Sequence, residues 1–553
     1  MKFPTPPNPM PKTPFEEIDK ALNRLEKGKK EWPNVTPEGR EVLIRECMTD
    51  LEVAAEEWVM TNLRGKGVHN GEPDEGAEWI GGFMPVMRNL RMLAHAMKHK
   101  GQPPLLKKYQ DENGRWRVKV FPTDIKDKLL YGGFDAEVWL QDGALPTQGK
   151  IYREKSESKI ALILGAGNSG SIGPMDCLYK LFVENEVCIL KMNPVNDYLG
   201  LFVARAFRAL IEGNFLTVVY GDVEEGQYLC NHEKVDTIHI TGSHHTHDAI
   251  VWGKPRQSEP ILKKPITSEL GCIDPIIVVP GNWTPHQIDY QARHIVSMVT
   301  HNTGYNCNSG NILLLADGWD KKDALLSRIQ KHMRQKAPKK AYYPGTQERY
   351  QGYLDRYPEA IICSDQQEGT IPWTIFNEVP AKPGEHAFKV EPFCGILCVS
   401  KIDATSASDY LEKVVPFCND HIWGTLSCNL LIDDATAKSQ APSLEKAIRD
   451  LRYGTVAVNA WNGVSYGMCT TTWGAYPGHT LEDIESGIGT VHNTYLLDHP
   501  LKSVMRGPFI FKPTPAWFYD HKNLIGIGKR LVAFEHKPSW LNLIAVVSQA
   551  LRG

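Results

Sequence analysis

Cys307 sits in the run HNTGYNCNSGN, among glycine, asparagine and serine rather than among apolar residues. A thiol of ordinary pKa, about 8.5, needs backbone amides or the start of a helix to become a nucleophile at neutral pH. The alternative for any one cysteine is a small buried hydrophobe, and the polar flanks here count against it. A sulfur that takes up an acyl group also needs a base to activate the water that releases it. Glu269, in TSELG, is a candidate for that base, although a carboxylate taken singly reads more readily as solvated or paired. Residues 165–170 spell GAGNSG, a match to the glycine-rich turn that brings backbone amides to a pyrophosphate. The acidic residue expected at the end of the next strand is missing, because VCILK ends in Lys191. A tight strand-to-helix turn is the plain alternative. In a third reading Asn168 is a side chain set at a strand end to face the chemistry.

Elements that can position these groups follow from periodicity. Apolar residues at three- and four-residue spacing predict helices over 15–27 and 41–60, after a Pro-rich arm of about 12 residues expected to be mobile. Between about 102 and 158, RWRVKVFP and AEVWLQ alternate like strands. An α/β register then sets in, with strands at KIALIL, VCILK, FLTVVYG and DTIHITG. A second begins at Glu269 and runs through PIIVVP, NILLLAD, FCGILCVSKI and LRYGTVAVN. Strands alternating with helices argue for parallel sheets with ligands at the strand ends. The expected organisation is 1–268 for the N-terminal helices and first sheet, 269–480 for the domain carrying Cys307, and 481–553 for an extension.

Composition narrows the class. At 553 residues the chain exceeds one ordinary core. A hydrophobic content of 42% and a charged content of 23% fit a soluble globular protein, and a formal charge of -3 gives no reason to expect nucleic acid. Twelve scattered cysteines without CxxC pairs read as reduced thiols, and the N-terminus lacks the apolar core of a signal peptide, so a cytoplasmic protein is expected. His244, His245 and His247 lie close together in GSHHTHD, but no spacing of cysteines or carboxylates supports a metal site.

Taken in order, these segments resemble the aldehyde dehydrogenase superfamily over roughly residues 155–480. ELGCIDPIIV is similar to that family's ELGGKxPxIV segment and GYNCNSG to its GQxC loop, 38 positions apart. LGAGNSG takes the place of the loop bearing an oxyanion-binding asparagine, and CILKMNP, 23 positions on, that of the strand end whose lysine meets the adenosine ribose. HITGS, VEPFCGIL and LRYGTVAVN resemble three further family segments. The resemblance implies an α/β fold of two Rossmann-type parallel-sheet domains with a small oligomerisation element. It implies Cys307 as nucleophile, Glu269 as base, Asn168 as oxyanion donor, and NAD or NADP held by Lys191, Gly242, Ser243, Glu391 and Phe393. Oxidation of an aldehyde through a Cys307 thioester is the expected reaction. A CoA-acylating aldehyde dehydrogenase, a non-catalytic scaffold and an ordinary Rossmann dehydrogenase are the alternatives.

Departures mark a divergent branch. Pro194 stands where the family has a ribose-binding glutamate, leaving NAD against NADP open, and His247, Tyr305 and Cys394 replace a glycine, a glutamine and a glycine. Trp461 and Trp473 fall where the family's substrate tunnel lies and suggest a bulky or aromatic aldehyde. The tail beyond 500 mixes Trp and Phe with Lys and Arg. A membrane surface suits it, but a subunit contact is preferred because the family is usually dimeric or tetrameric.

Overall fold

The computed structural model describes residues 9–154 and 156–553. The first eight residues of the expected mobile arm lie outside that range. From Pro9 onward the arm is tied down: the Met10 N–H donates to Asp197, Thr13 exchanges two hydrogen bonds with Tyr220, and Lys12 pairs with Asp222 at 2.9 Å.

Three strands, β1 (Lys107–Gln110), β2 (Trp116–Phe121) and β3 (Asp135–Leu140), precede the first α/β unit. That unit contains β4 (Lys159–Leu164), β5 (Glu186–Lys191), β6 (Leu216–Val219), β7 (Thr237–Gly242) and β8 (Ile266–Leu270). They form an all-parallel sheet in the order β6-β5-β4-β7-β8, buried along its length as near-continuous apolar runs require. Glu269 pairs with Thr241 on β8, so it sits on the closing strand of this first sheet rather than opening the second. The expected boundary between 268 and 269 falls inside β8, because the apolar runs on either side of it give no local sign of which sheet this strand joins.

The second sheet has eleven strands and includes β9 (Asp274–Val278), β10 (Gly310–Ala316), β11 (Ile361–Ile362), β12 (Thr374–Phe376) and β13 (Ile396–Ile402). Its others are β14 (Ser427–Leu431), β15 (Thr455–Val458), β16 (Pro500–Arg506) and β1–β3, in the order β1-β2-β3-β16-β15-β14-β9-β10-β13-β12-β11. The stretch from 102 to 158 is therefore an antiparallel edge on this second sheet, joined through β16 of the C-terminal extension.

Helices α1 (Phe15–Glu31), α2 (Pro37–Lys66) and α3 (Met84–Lys98) pack on the first sheet in one apolar core. The tail returns to that core through α7 (Leu524–His536) and α8 (Trp540–Ala550), with α4 (Ile172–Phe182), α5 (Val223–Asn231) and α6 (Pro285–Thr300) between them in the chain. Buried ion pairs fix the return: Arg88 contacts Asp127 at 2.8 Å and Glu535 at 2.7 Å, and Arg91 contacts Glu535 at 2.6 Å. Breaking one partner of such a set strands a buried charge. The tail, expected at a subunit contact, packs α7 on its own chain, while Trp540, Leu541, Ile544 and Leu551 at its end are exposed. No helix among the described residues is long and apolar enough to cross a membrane.

Candidate active site

Cys307 follows the turn after α6 and precedes β10. No helix starts there, so one source of thiolate stabilisation expected from the sequence is missing. The loop is instead folded tightly: Asn302, Thr303 and Gly304 have φ of 50°, 60° and 79°. A Cβ at Gly304 would meet the Cys394 carbonyl carbon at 2.5 Å, which demands glycine. Of the twelve cysteines, Cys307 alone is partly exposed; the other eleven are buried.

Asn168, at the end of β4, donates from Nδ2 to the Tyr305 carbonyl at 2.8 Å. Asn302 returns the favour, donating to the Asn168 carbonyl at 3.0 Å, and the Tyr342 hydroxyl donates to that carbonyl at 3.1 Å. Lys66 holds Asn302 Oδ1 at 3.0 Å while paired with Glu78 at 2.8 Å. Asn168 and the cysteine loop are therefore one hydrogen-bonded unit. The amide keeps a second N–H, and among the described residues the backbone N–H of Cys307 has no partner. Two donors are thus available beside the sulfur for an oxyanion.

The Glu269 carboxyl lies beside the Cys307 thiol. Burial pushes Glu269 up to about 7, against hydrogen bonds from Trp473 and Cys307 that favour its charged form. Burial and the adjacent carboxyl push the thiol well above its usual range. Trp473 donates its indole N–H to Glu269 Oε1 at 3.2 Å and packs edge-on against Tyr466 at 5.5 Å. It lies against Glu269 and, unlike Trp461, does not line the cavity onto which Cys307 opens. Trp461 donates to the Asn308 carbonyl at 3.1 Å, bracing the loop just past the thiol.

Glu391 lies near Glu269. Its carboxyl accepts from the Cys272 N–H at 3.4 Å, and burial raises it to about 8, helped by Glu269. A Cβ on Gly271 would come within 2.1 Å of Glu391 Oε2, so the glycine of ELG admits this side chain. Phe393, at φ 43°, packs edge-on against Tyr343 at 4.9 Å. At the other sheet, Lys191 is buried at the end of β5, and among the described residues its ammonium finds only the Met192 carbonyl at 3.4 Å. Asn196 Oδ1 and Asp197 Oδ1 nearby are buried without partners among the described residues. Gly242 and Ser243 form the turn at the end of β7, with Ser243 capping the next helix by accepting from Thr246 at 3.3 Å. Under-satisfied polar groups of both kinds at the strand ends fit a ligand rich in hydroxyls. Of the histidines in GSHHTHD, His247 is buried beside Asp248, and His244 lies 3.9 Å from the ring of the exposed His245 and 4.8 Å from Trp423.

Sequence reasoning missed Asn302, Tyr342, Lys66 and the part Trp473 plays toward Glu269. The cysteine loop itself was visible, but its braces lie far away in the chain and carry no local pattern.

The aldehyde dehydrogenase family model matches residues 178–475, more than half of the chain, and the protein belongs to the aldehyde dehydrogenase family. A curated N-succinylglutamate 5-semialdehyde dehydrogenase of Novosphingobium aromaticivorans is 27% identical over 175 residues, covering 32% of this chain. The match spans only 35% of that relative's length. Among solved structures, NADP-dependent glyceraldehyde-3-phosphate dehydrogenase from Bacillus halodurans, complexed with NADP, is 16% identical, with 90% of this chain and 92% of that one covered and a TM-score of 0.61. A Mycobacterium tuberculosis aldehyde dehydrogenase complexed with NAD+ is 15% identical, with 92% of each chain covered and a TM-score of 0.61. Gamma-glutamyl-gamma-aminobutyraldehyde dehydrogenase from Burkholderia cenocepacia is 18% identical, covering 89% and 88% at a TM-score of 0.62. These likenesses establish the fold.

Proposed function

We propose that the protein oxidises an aldehyde to a carboxylic acid with NAD or NADP, through a thioester on Cys307. The observation that carries this reading is the meeting of thiol, carboxyl and amide from three distant segments around one partly exposed sulfur. The Cys307 thiol gives up its proton to solvent and the sulfur adds to the aldehyde carbonyl. The developing oxyanion is held by the free N–H of Asn168 and the backbone N–H of Cys307. Lys191, the Gly242–Ser243 turn, Glu391 and Phe393 would hold the dinucleotide, which supplies a hydride acceptor when bound. Glu269 then activates water, and the acid leaves Cys307.

Asn168→Ala removes one oxyanion donor and is expected to lower kcat about a hundredfold, a loss of about 3 kcal/mol. Steady-state kinetics with the aldehyde KM measured alongside check this; a loss confined to KM would assign Asn168 to binding instead. For the reaction as a whole, cofactor reduction should require aldehyde and yield the free acid with or without CoA. Product formed only when CoA is present would replace hydrolysis by acyl transfer to a thiol and remove Glu269 from the water-activating role.

A further inference from the structure

Cys307 opens onto a cavity of about 520 Å³, within the range of small-molecule sites. Its polar lining is concentrated on two loops, at Asn168 and Ser169 and at His301, Asn306 and Asn308, beside the sulfur. The remaining wall is mainly apolar, with Tyr131, Tyr466 and Thr514 among it, and comes from separate elements, including Met84 of α3, Ile172 of α4, Ile527 and Leu531 of α7, and Val546 of α8. No carboxylate or guanidinium lines it, and its one cation, Lys512, is exposed. The wall also reaches the protein surface through apolar side chains: Leu129, Val547 and Leu551 line the cavity and are 56%, 38% and 70% exposed. An aromatic aldehyde would need only the part of this space near Trp461. It would leave unexplained both the aliphatic wall supplied by the C-terminal helices and the apolar lip at the surface.

We infer that the substrate class is the long, unbranched aliphatic aldehyde, with its carbonyl at Cys307 and its hydrocarbon chain lying along α7 and α8 toward that lip. The inference rests on Cys307 being the nucleophile, as proposed above. Each methylene entering an apolar wall of this kind gains about fourfold in binding. A carboxylate tail would find only the exposed Lys512 as a charged partner in it.

The test is a chain-length series on the full-length enzyme: butanal, hexanal, octanal, decanal and dodecanal, with benzaldehyde and succinic semialdehyde for comparison. kcat/KM is expected to rise by up to about fourfold per added CH2. Ala550→Trp, which fills space at the half-buried end of α8, and Val547→Arg, which puts charge on the lip, should each cut the dodecanal-to-butanal ratio at least tenfold. A flat or falling series, or a preference for benzaldehyde or succinic semialdehyde, overturns the assignment while leaving aldehyde oxidation standing. Calorimetric titration with 1-dodecanol and 1-butanol separates the two readings further. If no aldehyde is turned over, tighter dodecanol binding that Ala550→Trp abolishes sustains the alkyl site and sinks the reaction. Absence of dodecanol binding sinks the alkyl site.

Discussion

Cys307→Ala is expected to lower kcat by more than about ten-thousandfold, the scale seen when a covalent nucleophile is removed. The folded state should hardly notice, because the side chain is only partly buried and its loop is braced by Asn302, Asn168 and Tyr342 rather than by sulfur. Cys307→Ser should do no better, since a hydroxyl beside the same buried carboxyl is a far weaker nucleophile than a thiol. Labelling gives an independent check. The other eleven cysteines are buried, so iodoacetamide should modify one residue per chain, and Cys307→Ala should remove that modification. The thiol is held in its protonated form by burial and by Glu269, so labelling of the enzyme alone should be slow near neutrality and speed up toward alkaline pH. A Cys307→Ala variant that still oxidises aldehydes at the wild-type rate would end the covalent mechanism.

The parts of this site that could be read from sequence are those whose chemistry is local. KIALIL, VCILK and NILLLAD are strands because both faces of a parallel sheet are buried, and that leaves a continuous apolar run. Cys307 declared itself by its polar flanks, and Glu269 and Glu391 by the glycine-bearing segments around them. What escaped was set by tertiary partners. Glu269 belongs to the first sheet because β8 pairs with β7, a register that no window of residues encodes. Trp473 has the look of a tunnel wall, but the chain turns its indole onto the base, while Tyr466 and Trp461 take the cavity side. The Lys12 to Asp222 contact that ties down part of a Pro-rich arm depends on charges some 200 positions apart. The extension beyond 500 looked like a surface element because its aromatics and basic residues are mixed. In fact β16 completes the second sheet, and α7 and α8 wall the cavity.

Glu269→Gln is expected to separate the two halves of the reaction. The first turnover should still reduce one equivalent of cofactor per active site, because a neutral amide beside Cys307 removes the negative neighbour that opposes thiolate formation. The second half then stalls, since an amide cannot take a proton from water. A general base of this kind contributes about a hundred- to ten-thousandfold, so steady-state kcat should fall by that factor while the burst survives. The pH profile supplies the sign. Burial raises the carboxyl to about 7, so below that value it is protonated and inert as a base, and above it the carboxylate is free to act. Wild-type kcat limited by acyl release should therefore climb up to tenfold per pH unit below about 7 and level off above. In Glu269→Gln that limb should vanish. Trp473→Phe deletes a hydrogen bond that favours the ionised form and should move the same limb to higher pH without abolishing it. Stopped-flow reduction of cofactor, followed by steady-state rates across the pH range, tests all three variants together. A Glu269→Gln enzyme with no burst, or with an unchanged pH limb, would show that some other group activates the water.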